Sequence, residues 1–102
     1  MDKIRNQSVD NLMQVIAKMS SADDCYDFFS DLCTIKELQD MAQRFEMALL
    51  LKGGANYQSV AASVGTSSAT VSRVNRCLLY GGGGYEKAIK IFKEETDDAD
   101  RR

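Results

Sequence analysis

Proline, tryptophan and histidine are absent from the 102 residues. Without proline no position forbids a helix from continuing, because proline alone removes the backbone donor and clashes with the preceding turn. Without histidine the usual general base near neutral pH is missing, and with it the commonest nitrogen ligand of zinc. The three cysteines, Cys25, Cys33 and Cys77, are odd in number and show no C-x-x-C spacing. They read as reduced, structural residues rather than as a disulfide framework or a metal site. Asp23, Asp24, Asp27 and Asp31 recur at helical spacing and read as a solvated helix face. "GGGGY" at 81–85 lacks the preceding strand and the GK[ST] of a phosphate-binding loop, so it reads as a connector. No catalytic set, metal or cofactor is therefore expected, and the chain does not read as an enzyme. No apolar run approaches the roughly 20 residues of a membrane span, and "MDKIRNQSVDNLMQVIAK" is amphipathic with mixed charge, unlike a secretion signal. A cytoplasmic protein with no membrane partner is expected.

What is present is helical. Apolar residues recur at i, i+3, i+4, i+7, and no strict alternation persists for a strand's length. Val9, Leu12, Met13, Ile16 and Met19 make one stripe, which predicts a helix near 3–19. Ser21 with Asp24 caps a second over 22–32, with Cys25, Phe28, Phe29 and Leu32 on its apolar face. Thr34 and Glu37 have capping-box spacing and open a third, which carries Leu38, Met41, Ala42, Phe45 and Leu49 and ends at Gly53 or Gly54. Asn56 caps a short helix ending near Val64, Ser67 or Ser68 caps another reaching Tyr80, and a last helix covers 85–96. The expectation is an all-α protein of six helices in a single domain, residues 1–96, followed by a frayed charged tail at 97–102.

The stretch "VAASVGTSSATVSRV" at 60–74 defines a helix-turn-helix spanning about 56–80. Two short helices joined by a tight turn cross steeply, so a small residue is needed at the crossing, and Ala61 supplies it four residues before Gly65. Gly65 supplies the positive φ that reverses the chain. Val60 and Val64 on the first helix and Val71 and Val74 on the second fall at the core positions. The charge map points to the same segment. Residues 1–46 hold nine acids and five bases, residues 86–102 six and five, and residues 47–85 only Lys52, Arg73 and Arg76 with no acid. These sums of −4, −1 and +3 return the net −2. On the second helix Ser67, Ser68, Ala69, Ser72, Arg73 and Arg76 point outward: small residues where a major groove would be entered, and bases for phosphate beyond them. With Lys52 these are the candidate DNA-binding residues. A charge of +3 is weak for binding a polyanion, so two copies acting together on double-stranded DNA are expected.

The "ATVSR" at 69–73, preceded by "SVGTSS", by "LLLKGGANYQSV" and by a capped long helix, resembles the bacterial Trp repressor family, particularly its shorter YerC/YecD branch. The resemblance is close over about 32–80 and extends loosely to the six-helix order. It implies an intertwined homodimer with two projecting helix-turn-helix units, and a DNA-binding transcription regulator acting as a repressor. It also implies a ligand site between the long helix and the recognition helix, where one arginine matches Arg73. The second matches Gln43 without a gap or Arg44 with a one-residue slip, so Arg44 and Arg73 are the candidate ligand pair. Val74 and Arg76 depart from the family, which has a small residue and an asparagine there. A small-molecule corepressor is left open. The competing reading is a helical protein-interaction module that binds no DNA.

Overall fold

The computed structural model describes the backbone of residues 2–100 and the side chains of residues 3–97. A 3₁₀ turn at Asp2–Ile4 precedes α1 (Gln7–Ala17), α2 (Ala22–Leu32), α3 (Ile35–Lys52), α4 (Tyr57–Val64), α5 (Ser68–Tyr80) and α6 (Gly84–Asp100). Among the described residues there is no strand. The expected single domain divides into two compact units, one ending at Asp40 and the other beginning at Met41. The boundary falls inside α3, so its first turns belong with α1 and α2 and the remainder with α4, α5 and α6.

The helix starts follow from their caps. Asn6, Ser21, Asn56 and Ser67 each accept a hydrogen bond from the backbone N–H three residues on, which satisfies a donor the helix itself cannot. At α3 the capping box is complete: Thr34 Oγ1 accepts from Glu37 N–H at 3.0 Å, and Glu37 Oε1 accepts from Thr34 N–H at 2.9 Å. Gly54 rather than Gly53 takes the left-handed conformation that ends α3. Toward the C-terminus α6 runs on to Asp100, through residues 97–100 of the expected tail. Neither glycine nor proline interrupts "EETDDAD", so nothing stops the helix there. Positions 101 and 102 lie outside the described residues.

The first unit has no fully buried residue on α1 or α2. Val9, Leu12, Ile16 and Met19 are half-buried, while Met13, expected in the same stripe, is exposed. Phe28 and Phe29 are half-buried, Leu32 is exposed, and an open groove of about 1020 Å³ runs between the helices past Val15, Met19, Phe28 and three aspartates. The second unit contains the core: Met47, Ala48, Val60, Val71, Val74 and Ile89 are buried, and Leu50, Leu51, Ala61, Val64, Leu78 and Tyr85 pack against them. Burial of side chains this size stabilises by about 1.5–3 kcal/mol each. The face α3 buries follows the expected stripe only in part: Phe45 and Leu49 pack against this core, but the fully buried residues are Met47 and Ala48. Met47 lies half a turn around the helix from the stripe of Leu38, Met41, Ala42, Phe45 and Leu49, of which Met41 and Ala42 are exposed and the others half-buried. Phe45 meets Phe92 of α6 edge to face at 6.0 Å.

Candidate nucleic-acid interface

α4 and α5 form the expected helix-turn-helix. At the end of α4, Gly65 has φ +79°, and the N–H groups of Gly65 and Thr66 both donate to the Ala61 carbonyl, at 2.9 and 3.0 Å. That geometry closes the helix and turns the chain through Gly65, Thr66 and Ser67. Val60, Val71 and Val74 meet in the core, while Val64, expected beside them, and Ala61 are half-buried at its edge.

The turn decides what α5 displays. Ser67 is its cap: the hydroxyl accepts from Thr70 N–H at 3.2 Å and lies 3.0 Å from Thr70 Oγ1. That hydroxyl is therefore committed to the fold, and Ser68 is the first residue of the helix proper. At 100° per residue, the face opposite Val71 and Val74 is centred on Ala69 and Arg76, with Ser72 and Arg73 on either side. Ser68, Ala69, Arg73 and Arg76 are exposed and Ser72 is half-buried. The two flanks of α5 lead to different neighbours. Toward α4, the Asn75 amide donates to the Tyr57 hydroxyl at 2.7 Å. Toward α3 and α6, Arg73 joins Arg44, Thr70, Val74, Cys77 and Tyr85 around a cavity of about 90 Å³.

Arg44 and Arg73, the pair that the one-residue slip gives, both line that cavity, and Gln43 does not. Its size is another matter. About 90 Å³ holds some three waters at roughly 30 Å³ each, whereas small-ligand pockets run to about 300 Å³ or more. Val74 is 4% exposed and Tyr85 is half-buried against the core, and both line the cavity. Burial pushes the Tyr85 phenol above its ordinary range, the nearby Cys77 adds to that, and the Arg44 guanidinium opposes it.

Lys52 departs from the expected arrangement. Its ammonium lies 3.0 Å from Glu86 Oε1, with both side chains about half exposed. Residues 47–85 contain no acid in sequence, but Glu86 is the next residue and α6 returns it to the end of α3. Arg44, Arg73 and Arg76 belong to no ion pair among the described residues, and they carry the uncompensated charge of this unit's recognition side. Tyr57, Asn75, Tyr85 and Glu86 were not candidates from sequence; only the position of Tyr85 directly after "GGGG" set any of them apart.

Among the described residues no three cysteine, aspartate or glutamate side chains are grouped to hold a metal. No helix among the described residues is long and apolar enough to cross a membrane. Known proteins share the arrangement. The family described as Trp repressor protein matches residues 7–93. The chain is 44% identical over 101 residues to the protein YerC of Bacillus subtilis strain 168, itself described as uncharacterized, with 98% of this chain and 97% of that one covered. A TrpR-like protein from Eubacterium eligens superposes with a TM-score of 0.85 at 41% identity, covering 91% of this chain and 96% of its own. A candidate Trp repressor from Staphylococcus aureus gives 0.83 at 35% identity, covering 90% and 92%. With a matching family that spans most of its length, a six-helix order in common and a glycine-turned helix pair at the expected place, this chain belongs to the Trp repressor family, a family of regulators and not of enzymes.

Proposed function

We propose that this protein is a sequence-specific DNA-binding transcription regulator, a cytoplasmic repressor that acts on double-stranded DNA as a homodimer. The observation that carries the reading is the outward face of α5, where Ser68, Ala69 and Ser72 leave room for base edges and Arg73 and Arg76 follow for phosphate. Ser67 holds the helix N-terminus by its cap, and Lys52, offset by Glu86, is a peripheral contact at most. Dimerisation is supported by the exposed Met41 and Ala42 on α3 and by two amphipathic helices that bury no residue fully. Such faces are covered when a second chain packs on them. The cavity beside Arg44 and Arg73, about 90 Å³, is small for an amino-acid corepressor, which supports a regulator that acts without tryptophan. Adding tryptophan is expected to leave DNA affinity unchanged.

The second reading, a helical protein-interaction module, draws on the groove between α1 and α2, whose apolar floor and acidic edge of Asp24, Asp27 and Asp31 fit a basic amphipathic segment. Selection of duplexes from a randomised pool separates the two. A regulator of this kind enriches a two-fold symmetric site with half-sites about one helical turn apart; a module that binds only protein enriches nothing.

A further inference from the structure

The hydrogen bond between Asn75 and Tyr57 joins residues 18 apart in sequence at 2.7 Å. Among the described residues it is the one side-chain hydrogen bond that links α4 to α5. Its place matters more than its strength. Tyr57 is the first residue of α4, eight residues long, and Gly65 ends that helix. The pair therefore lies about 12 Å along α4 from the turn and, at Asn75, about 10 Å along α5 from Ser68. The turn holds the helices together at one end and the hydrogen bond holds them at the other. Between the two, Val60, Val71 and Val74 meet, and their packing is close but not directional. A hydrogen bond constrains both distance and angle. It is thus the one directional restraint on the crossing angle away from the turn.

We propose that Tyr57 and Asn75 form a positioning pair that sets the angle at which α5 presents Ser68, Ala69, Ser72 and Arg76, and so determines sequence specificity. This rests on the reading of α5 as the helix that reads DNA. The two residues touch no base themselves. If the pair parts by about 1 Å, α5 pivots about the turn, so Ser72, about 6 Å along the helix from Ser68, shifts by roughly 0.5 Å and Arg76 by about 1 Å, which reaches or passes the roughly 0.5 Å within which recognition groups need to be held. The long Arg76 side chain can follow a phosphate through such a shift; the short Ser72 hydroxyl on a base edge cannot.

The test uses Tyr57→Phe, which removes one hydroxyl and keeps the ring, together with Asn75→Ala and the double variant. Each is titrated on a duplex selected by the wild type and on a random duplex of equal length, at several salt concentrations. Each single variant should lower the ratio of specific to random affinity by about 3- to 10-fold, the range expected for removal of one hydrogen bond. Affinity for the random duplex and its salt slope should not move, and the double variant should be no worse than either single one, since all three break the same bond. A purely structural role would leave the ratio intact while lowering the melting temperature, and that result overturns the proposal. So does a double variant whose loss is the product of the two single losses, because the residues would then act separately. If Asn75→Ala fails to fold, Tyr57→Phe decides alone. A wild type that binds no duplex removes the DNA reading and this proposal with it, an outcome distinct from unchanged ratios in a wild type that does bind.

Discussion

Gly65 has a φ of +79° and open space where a Cβ would stand, so a substitution there meets backbone strain and not a clash. Gly65→Val should cost about 1–3 kcal/mol, and Gly65→Asn less, because asparagine enters the left-handed region more readily. Ala61→Leu should do comparable harm by forcing bulk against Val60 and Val71 at the helix crossing, again about 1–3 kcal/mol. Thermal melts check all three, at roughly 4–8 °C for each kcal/mol in a unit of this size; unchanged melts for Gly65→Val and Ala61→Leu would refute the turn as described. Gly81 differs in kind. Its φ is ordinary for any residue, but a Cβ would collide with the Cys77 carbonyl oxygen, so Gly81→Ala requires the last turn of α5 to move.

At the scale of elements, the capping box of α3 makes a pH prediction. The backbone N–H of Thr34, and then its hydroxyl, hold the Glu37 carboxyl below its usual pKa. A carboxyl whose folded pKa is depressed contributes stability above its unfolded pKa and loses it as pH falls through the folded one. The wild type should therefore lose stability as pH falls through and below the ordinary glutamate range of about 4.3, and Glu37→Gln, which keeps an acceptor but cannot titrate, should lose less on the same acid side in pH-dependent melts. An identical decline in both proteins would remove the linkage. The caps at Ser21, Thr34, Asn56 and Ser67 and the glycine of the turn were legible in the sequence, because each is a local rule in which one residue type answers one backbone need. The buried face of α3 was legible only in part. Its second half is apolar nearly all the way round, so periodicity alone finds Phe45 and Leu49 but cannot tell that Met47, half a turn away, is buried while Met41 is exposed. For the same reason a charge sum along the chain missed Glu86 beside Lys52, and nothing local announced that Asn75 would reach Tyr57. Those pairings depend on how helices cross, a property of the packed unit rather than of any segment.

At the scale of the whole molecule, one chain alone leaves apolar surface uncovered. α1 and α2 bury no residue fully, α3 turns Met41 and Ala42 outward, and the recognition side carries only three unpaired arginines among the described residues. In the proposed homodimer a second copy covers these faces and doubles the charge offered to phosphate. Sedimentation at micromolar concentration should give about twice 11.3 kDa; a compact, folded species at the single-chain mass would contradict the dimer.

The central claim, that α5 reads DNA while Arg76 anchors on phosphate, is tested most directly by the salt dependence of duplex binding for wild type and Arg76→Ala. Log affinity of the wild type should fall linearly with log salt concentration. The variant should bind specific and random duplexes more weakly alike, with a slope shallower by about two units per dimer, one for each phosphate that Arg76 no longer neutralises. A wild type that binds no duplex at low salt, or an Arg76→Ala protein whose slope matches the wild type, would contradict that claim.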